Sequence, residues 1–429
     1  MLRNKVLLFS AIILAGIMTA NAQSSTNSPY TRYGLGDLVD QSFTSNAAMG
    51  GIGYGLRTPS HINTMNPASY TAVDSLAFMF DIGFSLKSSN YKENGFKSNA
   101  KNSSFDYIAM QFRLHKRLAM VIGFTPYTNV GYNFSQQSLV KPEESNPNGG
   151  LEQKVYLTNT FFGDGSLQQI FGGLGFKITK GLSIGANFGF LYGDINYSTT
   201  ATLSNGGDYR VEYNNIDVNS YKLDLGVQYS FPIKKSNVTL GLTYGLGHVL
   251  NSNETIGSQI TNGSDYDQSK ERIEKDTYEM PHTIGAGLVV DHNEKIKVGL
   301  DYSFQKWEGI KWSNKTDMYN NRSRVSAGLE YIPNHNSRHY LSHIFYRFGT
   351  SYQNSYIKLP DGSDGPKEFS ISGGFGFPLH MYQRNSVLSI TGQYTRVKPS
   401  VKDMLSENRF MIKIGLTFNE RWFMKFRVN

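Results

Sequence analysis

The chain has no cysteine. That excludes disulfides and thiolate metal sites, and it leaves no thiol for a lipid anchor. Long apolar runs are also missing: one short run lies near the N-terminus, and no later stretch reaches the length of a membrane-spanning helix. Aliphatic residues are thin, because hydrophobic content is only 39 % although the chain has 27 tyrosines and 27 phenylalanines. Catalytic signatures are lacking too. No HExxH or P-loop pattern occurs, the GxSxG string Gly181–Gly185 opens a candidate strand and forms no strand-to-helix elbow, and Thr26-Asn27-Ser28 offers hydroxyls with no neighbouring base. His339 and His343 are four apart, which on a strand gives one face but too long a gap for one metal. Asp265, Asp267, Glu271, Glu274 and Asp276 do not have EF-hand spacing and read as a solvated loop. The chain is therefore expected to be no enzyme and to hold no cofactor or metal. Its net charge is +8, of which Arg3 and Lys5 supply two. The rest is scattered, without the basic stripe that nucleic acid needs.

What is present begins with residues 1–22, which have the form of a cleavable signal peptide. Arg3 and Lys5 open it, Val6 to Ala20 is apolar, and Ala20-Asn21-Ala22 is a small-x-small cleavage site. From about Ser75 onward the chain is almost all candidate strand. Phe78, Phe80, Ile82, Phe84 and Leu86 alternate with Ala77, Met79, Asp81, Gly83 and Ser85, a period of two with one greasy face. The pattern recurs at 107–114 and 182–192. Short polar connectors, such as His115-Lys116-Arg117 and Thr179-Lys180-Gly181, alternate with long hydrophilic ones near 90–103, 134–165, 199–213, 252–277, 307–321, 354–368 and 399–408. That sidedness belongs to an outer-membrane barrel.

The reading is all-β: a transmembrane antiparallel β-barrel of about 14 strands, near 75–88, 104–114, 118–133, 166–178, 181–197, 214–231, 237–250, 278–290, 295–306, 322–332, 339–353, 368–378, 384–398 and 409–418. Trp422 and Phe423 beside Arg421 suit a membrane interface. Ser45 to Ala72 has neither strand nor helix periodicity. It carries Gly50, Gly51, Gly53 and Gly55 and a turn at Asn66-Pro67-Ala68. Such a segment closes no core of its own, so it is expected to be a plug inside the barrel, an ordinary disordered leader being the other reading. The domains are then 1–22 signal peptide, 23–74 plug or hatch, and 75–429 barrel.

The ordered run MGGIGYG, then INTMNPASY, then a first strand resembles the hatch of the FadL family of outer-membrane barrels for long-chain fatty acids and aromatic hydrocarbons. With RYGLGD near the mature start, it is similar to the Bacteroidetes-type branch. As architecture the resemblance covers the mature chain, and as a motif only about residues 46–72. It implies a cell outer-membrane location and passive uptake of a hydrophobic ligand, with lateral exit through a kink in the third strand. Here that strand is expected at 118–134, where Pro126 cannot donate to the ladder and Gly131 weakens packing, making both candidates for a lateral gate. The alternative reading of Pro126 is a plain strand end. The loop that follows is too polar for a greasy surface groove, which keeps a second role open: a non-transporting FadL-like subunit of an outer-membrane assembly or secretion complex. Expected partners are outer-membrane lipid or lipopolysaccharide, a hydrophobic small molecule under the first role, and other outer-membrane proteins under the second.

Overall fold

The computed structural model describes residues 25–74, 77–140, 154–206, 209–262, 265–313, 315–334, 337–380, 385–402 and 404–421. The leader 1–22 and the expected interface residues Trp422 and Phe423 lie outside them.

Fourteen antiparallel strands close into a barrel: β1 (Ala77–Glu93), β2 (Phe96–His115), β3 (Leu118–Val140), β4 (Val155–Lys177), β5 (Leu182–Leu203), β6 (Tyr209–Ile233), β7 (Ser236–Gly245), β8 (His282–His292), β9 (Ile296–Lys306), β10 (Arg322–Tyr331), β11 (Phe345–Gln353), β12 (Lys367–His380), β13 (Asn385–Lys398) and β14 (Ser406–Arg421). β14 closes on β1 from Ser406↔Lys92 down to Arg421↔Ala77. No described helix is long and apolar enough to cross a membrane. The crossing is made by strands whose outward residues are apolar and exposed, among them Phe84, Leu86, Ile170, Leu174, Phe188, Phe190, Leu300, Phe348 and Phe375. Their inward neighbours are small or polar, so the alternation in the sequence is the division between lipid and lumen.

Several stretches expected as long loops are strand. β1 and β2 continue to a two-residue turn at Asn94-Gly95, with φ of 45° and 87°, the left-handed pair that a tight hairpin requires. β3 to β6 likewise extend past the apolar belt. Ser252–Asn262 and Asp265–Lys275 form a hairpin that pairs with the far half of β6, Tyr209↔Thr261 through Val218↔Ser252. In their outermost parts, beyond the membrane, both faces of these strands meet water, so pairing persists while the period-two signal disappears. Two strands are markedly shorter than expected. The one read as 237–250 ends at Gly245, and the one read as 339–353 starts at Phe345, because Tyr340–His343 forms a 3-10 turn. That turn also removes the strand-face geometry assumed for His339 and His343. The end of the barrel bearing the long strands is called distal below.

Candidate functional site

The N-terminal segment starts at the distal level and descends the lumen. The Ser28 hydroxyl donates to Glu407 near the start of β14, and the segment ends at Asp74, next to the proximal start of β1. Three layers hold it. In the distal layer Leu35 packs with Tyr132, Phe161, Leu167, Leu191, Ile195, Ile216 and Val218 from the wall, and with Tyr278, Trp307, Tyr319 and Tyr356 from the distal connections. Trp307 is 0 % exposed and its ring centroid lies 4.5 Å from that of Tyr356. The loops thus fold inward and close a core over the lumen.

Beneath it lies an ionic layer. Arg324 donates to Asp40 at 2.7 Å. Arg409 reaches Glu407 at 2.8 Å, Asp37 at 3.4 Å and Glu368 at 3.6 Å. Burial works to raise the Asp40 carboxyl, but the Arg324 guanidinium more than offsets it and holds the group well below the usual carboxylate range. A cavity of about 140 Å³ runs through this layer, lined by Asp37, Asp40, Lys87, Asp106, Arg322 and Lys413 among others.

The proximal layer holds the residues singled out in the sequence. At Gly50 (φ 70°) a Cβ would stand 2.6 Å from the Thr350 carbonyl oxygen. Gly51 adjoins Arg324, Gly53 adjoins Met65, and Gly55 lies against the backbone of Gly287 in β8. Asn66 caps the 3-10 turn Pro67–Ala72 by accepting from the Ala68 amide at 3.1 Å. The other end of the same amide donates to carbonyls of Tyr54 at 2.8 Å and of Val227 in β6 at 3.2 Å. Pro67 opens the turn and Ala68 is fully buried. His61 bridges Asn46 and Ser60, at 2.9 and 3.2 Å. Asp301 of β9 accepts from the amides of Gly53 at 2.6 Å and Tyr54 at 2.8 Å.

The wall contributes glycines that the sequence reading missed. A Cβ on Gly349 of β11 would sit 1.9 Å from the Gly50 nitrogen, and one on Gly241 of β7 would sit 1.8 Å from the Tyr54 carbonyl oxygen. Backbone meets backbone there. Glycine inside a strand is the available signal, although it marks barrel bends equally well.

The Pro126 region is distinctive. The β2–β3 ladder runs from His115↔Leu118 only to Ile108↔Phe124. Past that point β3 pairs on its other side with β4 through a register shift between Pro126 and Thr128. Its vacated edge receives the N-terminal segment: Asp37↔Asn129 and Leu38↔Thr128 pair as a short strand. The Gly131 amide donates to the Thr31 hydroxyl at 3.2 Å, and Gln41 donates to the Pro126 carbonyl at 3.1 Å. Asn102 of β2 donates to Asn27 at 2.6 Å, so the segment spans the gap.

The model of the BamG family matches residues 1–429. The chain belongs to the BamG family. No curated protein matches this BamG-family chain. Among solved structures it is similar to the CymD monoaromatic hydrocarbon channel, with a TM-score of 0.59, 15 % identity, and coverage of 90 % of this chain and 99 % of that one. It is also similar to the toluene transporter TbuX of Ralstonia pickettii (0.58, 15 %, covering 88 % and 98 %) and to the toluene transporter TodX of P. putida (0.58, 14 %, covering 89 % and 98 %). At such identity these likenesses establish the fold alone, a 14-stranded antiparallel barrel. Among the described residues no cluster of three or more His, Asp or Glu side chains could hold a metal.

Proposed function

We propose that this BamG-family barrel is a non-transporting subunit of an outer-membrane protein assembly or secretion complex, with residues 23–74 as its permanent plug. The observation that carries the reading is the lining of the space behind the β2–β3 gap. An alkyl or aromatic body gains about 0.8 kcal/mol per CH₂ on leaving water for an apolar site. Behind the gap it would instead meet Asp37, Asp40, Lys87, Arg322, Arg324 and Arg409 in a cavity of about 140 Å³. Ligand pockets for small hydrophobic molecules are mostly apolar and run to roughly 300–1,000 Å³. The distal core adds a second barrier. The barrel offers a broad surface instead: the distal halves of β5 and β6 and their hairpin bound an open concavity of about 650 Å³ with Tyr197, Arg210, Glu212, Ile256 and Arg272 on its walls. In this reading the leader 1–22 exports the chain, as in the Bacteroidetes-type branch that its hatch motif resembles.

The second reading, passive uptake of a hydrophobic compound with lateral exit beside Pro126 and Gly131, is favoured by the interrupted ladder. Purification in mild detergent followed by proteoliposome uptake separates the two. Stoichiometric protein partners and no uptake of toluene or oleate are expected. A lone barrel whose uptake is abolished by a disulfide between Leu38→Cys and Thr128→Cys would replace the assembly reading with the transport one.

A further inference from the structure

Outward-facing charge is unevenly distributed around the distal rim. On β12, β13, β1 and β2, with β14 contributing Asn408 and Ser406 between them, the outward positions above the apolar belt carry Lys367, Arg396, Lys398, Lys92, Lys97 and Lys101, all six cations exposed. Register places them on one surface. Lys367 stands opposite Lys398, Lys92 stands opposite Lys97, Arg396 faces Asn408, and Lys101 faces Ser88. None of the six side chains has an ion-pair partner among the described residues. The inward residues of the same strands, Lys87, Glu368, Glu407 and Arg409, belong to the lumen network. The opposite arc differs in sign: on β5 and β6 the matching outward positions hold Asp194 opposite Asp217 and Asn196 opposite Asn215.

The height of the cations is as informative as their sign. Phe369, Tyr394 and Phe410 are exposed at 46, 45 and 50 % and mark the top of the belt on β12, β13 and β14. Lys367 and Arg396 come two residues further along the same face, about 6–7 Å at the usual strand rise. That is headgroup depth, where anionic groups collect basic side chains. Like charges directly across a ladder are unfavourable, and a bridging anion converts the two lysine pairs from repulsive to attractive.

We propose that this arc is a binding site for the phosphate-bearing headgroup of an outer-leaflet glycolipid. It holds one side of the barrel in lipid and leaves the acidic β5–β6 arc to face other surroundings. Full-length barrel in phosphatidylcholine nanodiscs would be loaded with bisphosphorylated lipid A, or with the same lipid stripped of phosphate, and retained lipid counted by native mass spectrometry. Wild type should retain the phosphorylated form at least ~10-fold over the stripped form, with the preference shrinking as salt screens it. K92Q/K97Q/K101Q/K367Q/R396Q/K398Q should retain both equally while keeping wild-type heat-modifiable mobility, and D194N/D217N should behave as wild type. Equal retention by wild type overturns the proposal, as does undiminished preference in the six-fold variant. A six-fold variant that keeps its lipid preference but loses a stoichiometric protein partner would assign the arc to a protein contact.

Discussion

Asn66 concentrates the seating of the N-terminal segment in one side chain. Its oxygen caps the Pro67–Ala72 turn and its nitrogen reaches Tyr54 and the β6 carbonyl of Val227. Asn66→Ala removes the cap and the donations to the Val227 and Tyr54 carbonyls, of which the Tyr54 oxygen keeps its bond from Gln228, a loss of roughly 1–3 kcal/mol. The expected result is faster amide exchange across 66–72 with unchanged barrel mobility on gels. His61 gives a second test. Burial, with the nearby Arg347 charge, pushes its pKa from 6.5 down to about 3. Between those values the unfolded segment binds a proton that the folded one refuses. Seating should therefore be complete above about pH 6.5 and weaken as pH falls toward 3. Protease sensitivity of residues 45–72 against pH reads this, and His61→Gln should flatten the His61 part of the profile. At this scale Gly50 and Asn66 were legible, because a glycine run and an Asn-Pro turn have local meaning. Gly241 and Gly349 were not, since their reason lies in a backbone some two or three hundred residues away.

At the scale of elements, β3 and the short strand Asp37–Leu38 form one unit. A proline has no amide to give, and the β2–β3 ladder stops just before Pro126. The free edge is filled by the N-terminal segment. Leu38→Cys with Thr128→Cys should crosslink readily under mild oxidation, since the two residues are register partners and the chain has no native thiol. Failure to crosslink in the folded barrel would show that the strand does not occupy that edge. The sequence pointed to Pro126 through the chemistry of proline, but Asp37–Leu38 carried no strand signal: two residues have no period. The distal strand halves and the Ser252–Lys275 hairpin went unread for a related reason. Alternation records a difference between two environments, and in the outermost strand ends, beyond the distal core, both faces meet water.

For the molecule as a whole, the distal core and the ionic layer together close the lumen. In planar bilayers the intact barrel should show no steady conductance. Removal of residues 25–70, which takes Leu35 out of the distal core and Asp37 and Asp40 out of the ionic layer, should give ion-conducting barrels, and unchanged conductance would mean that the wall and the distal connections suffice to seal it. Fold class and strand count were legible because turn spacing and alternation repeat along the chain. The share of the lumen closure made by the distal connections was not, because it depends on Trp307 and Tyr319 meeting Leu35 from the other end of the sequence.

The hydrogen bond from Ser28 to Glu407 joins groups separated by 379 residues. A chain made from its N-terminus must therefore keep Ser28 waiting until nearly the last strand exists. Pairing so distant in sequence is slow, since loop closure precedes any reward. Barrel closure and the seating of Ser28 then become one late event: β14 finds β1 while Ser28 finds β14. Until that moment one edge of β1 is unpaired, and the nascent protein depends on whatever shields it.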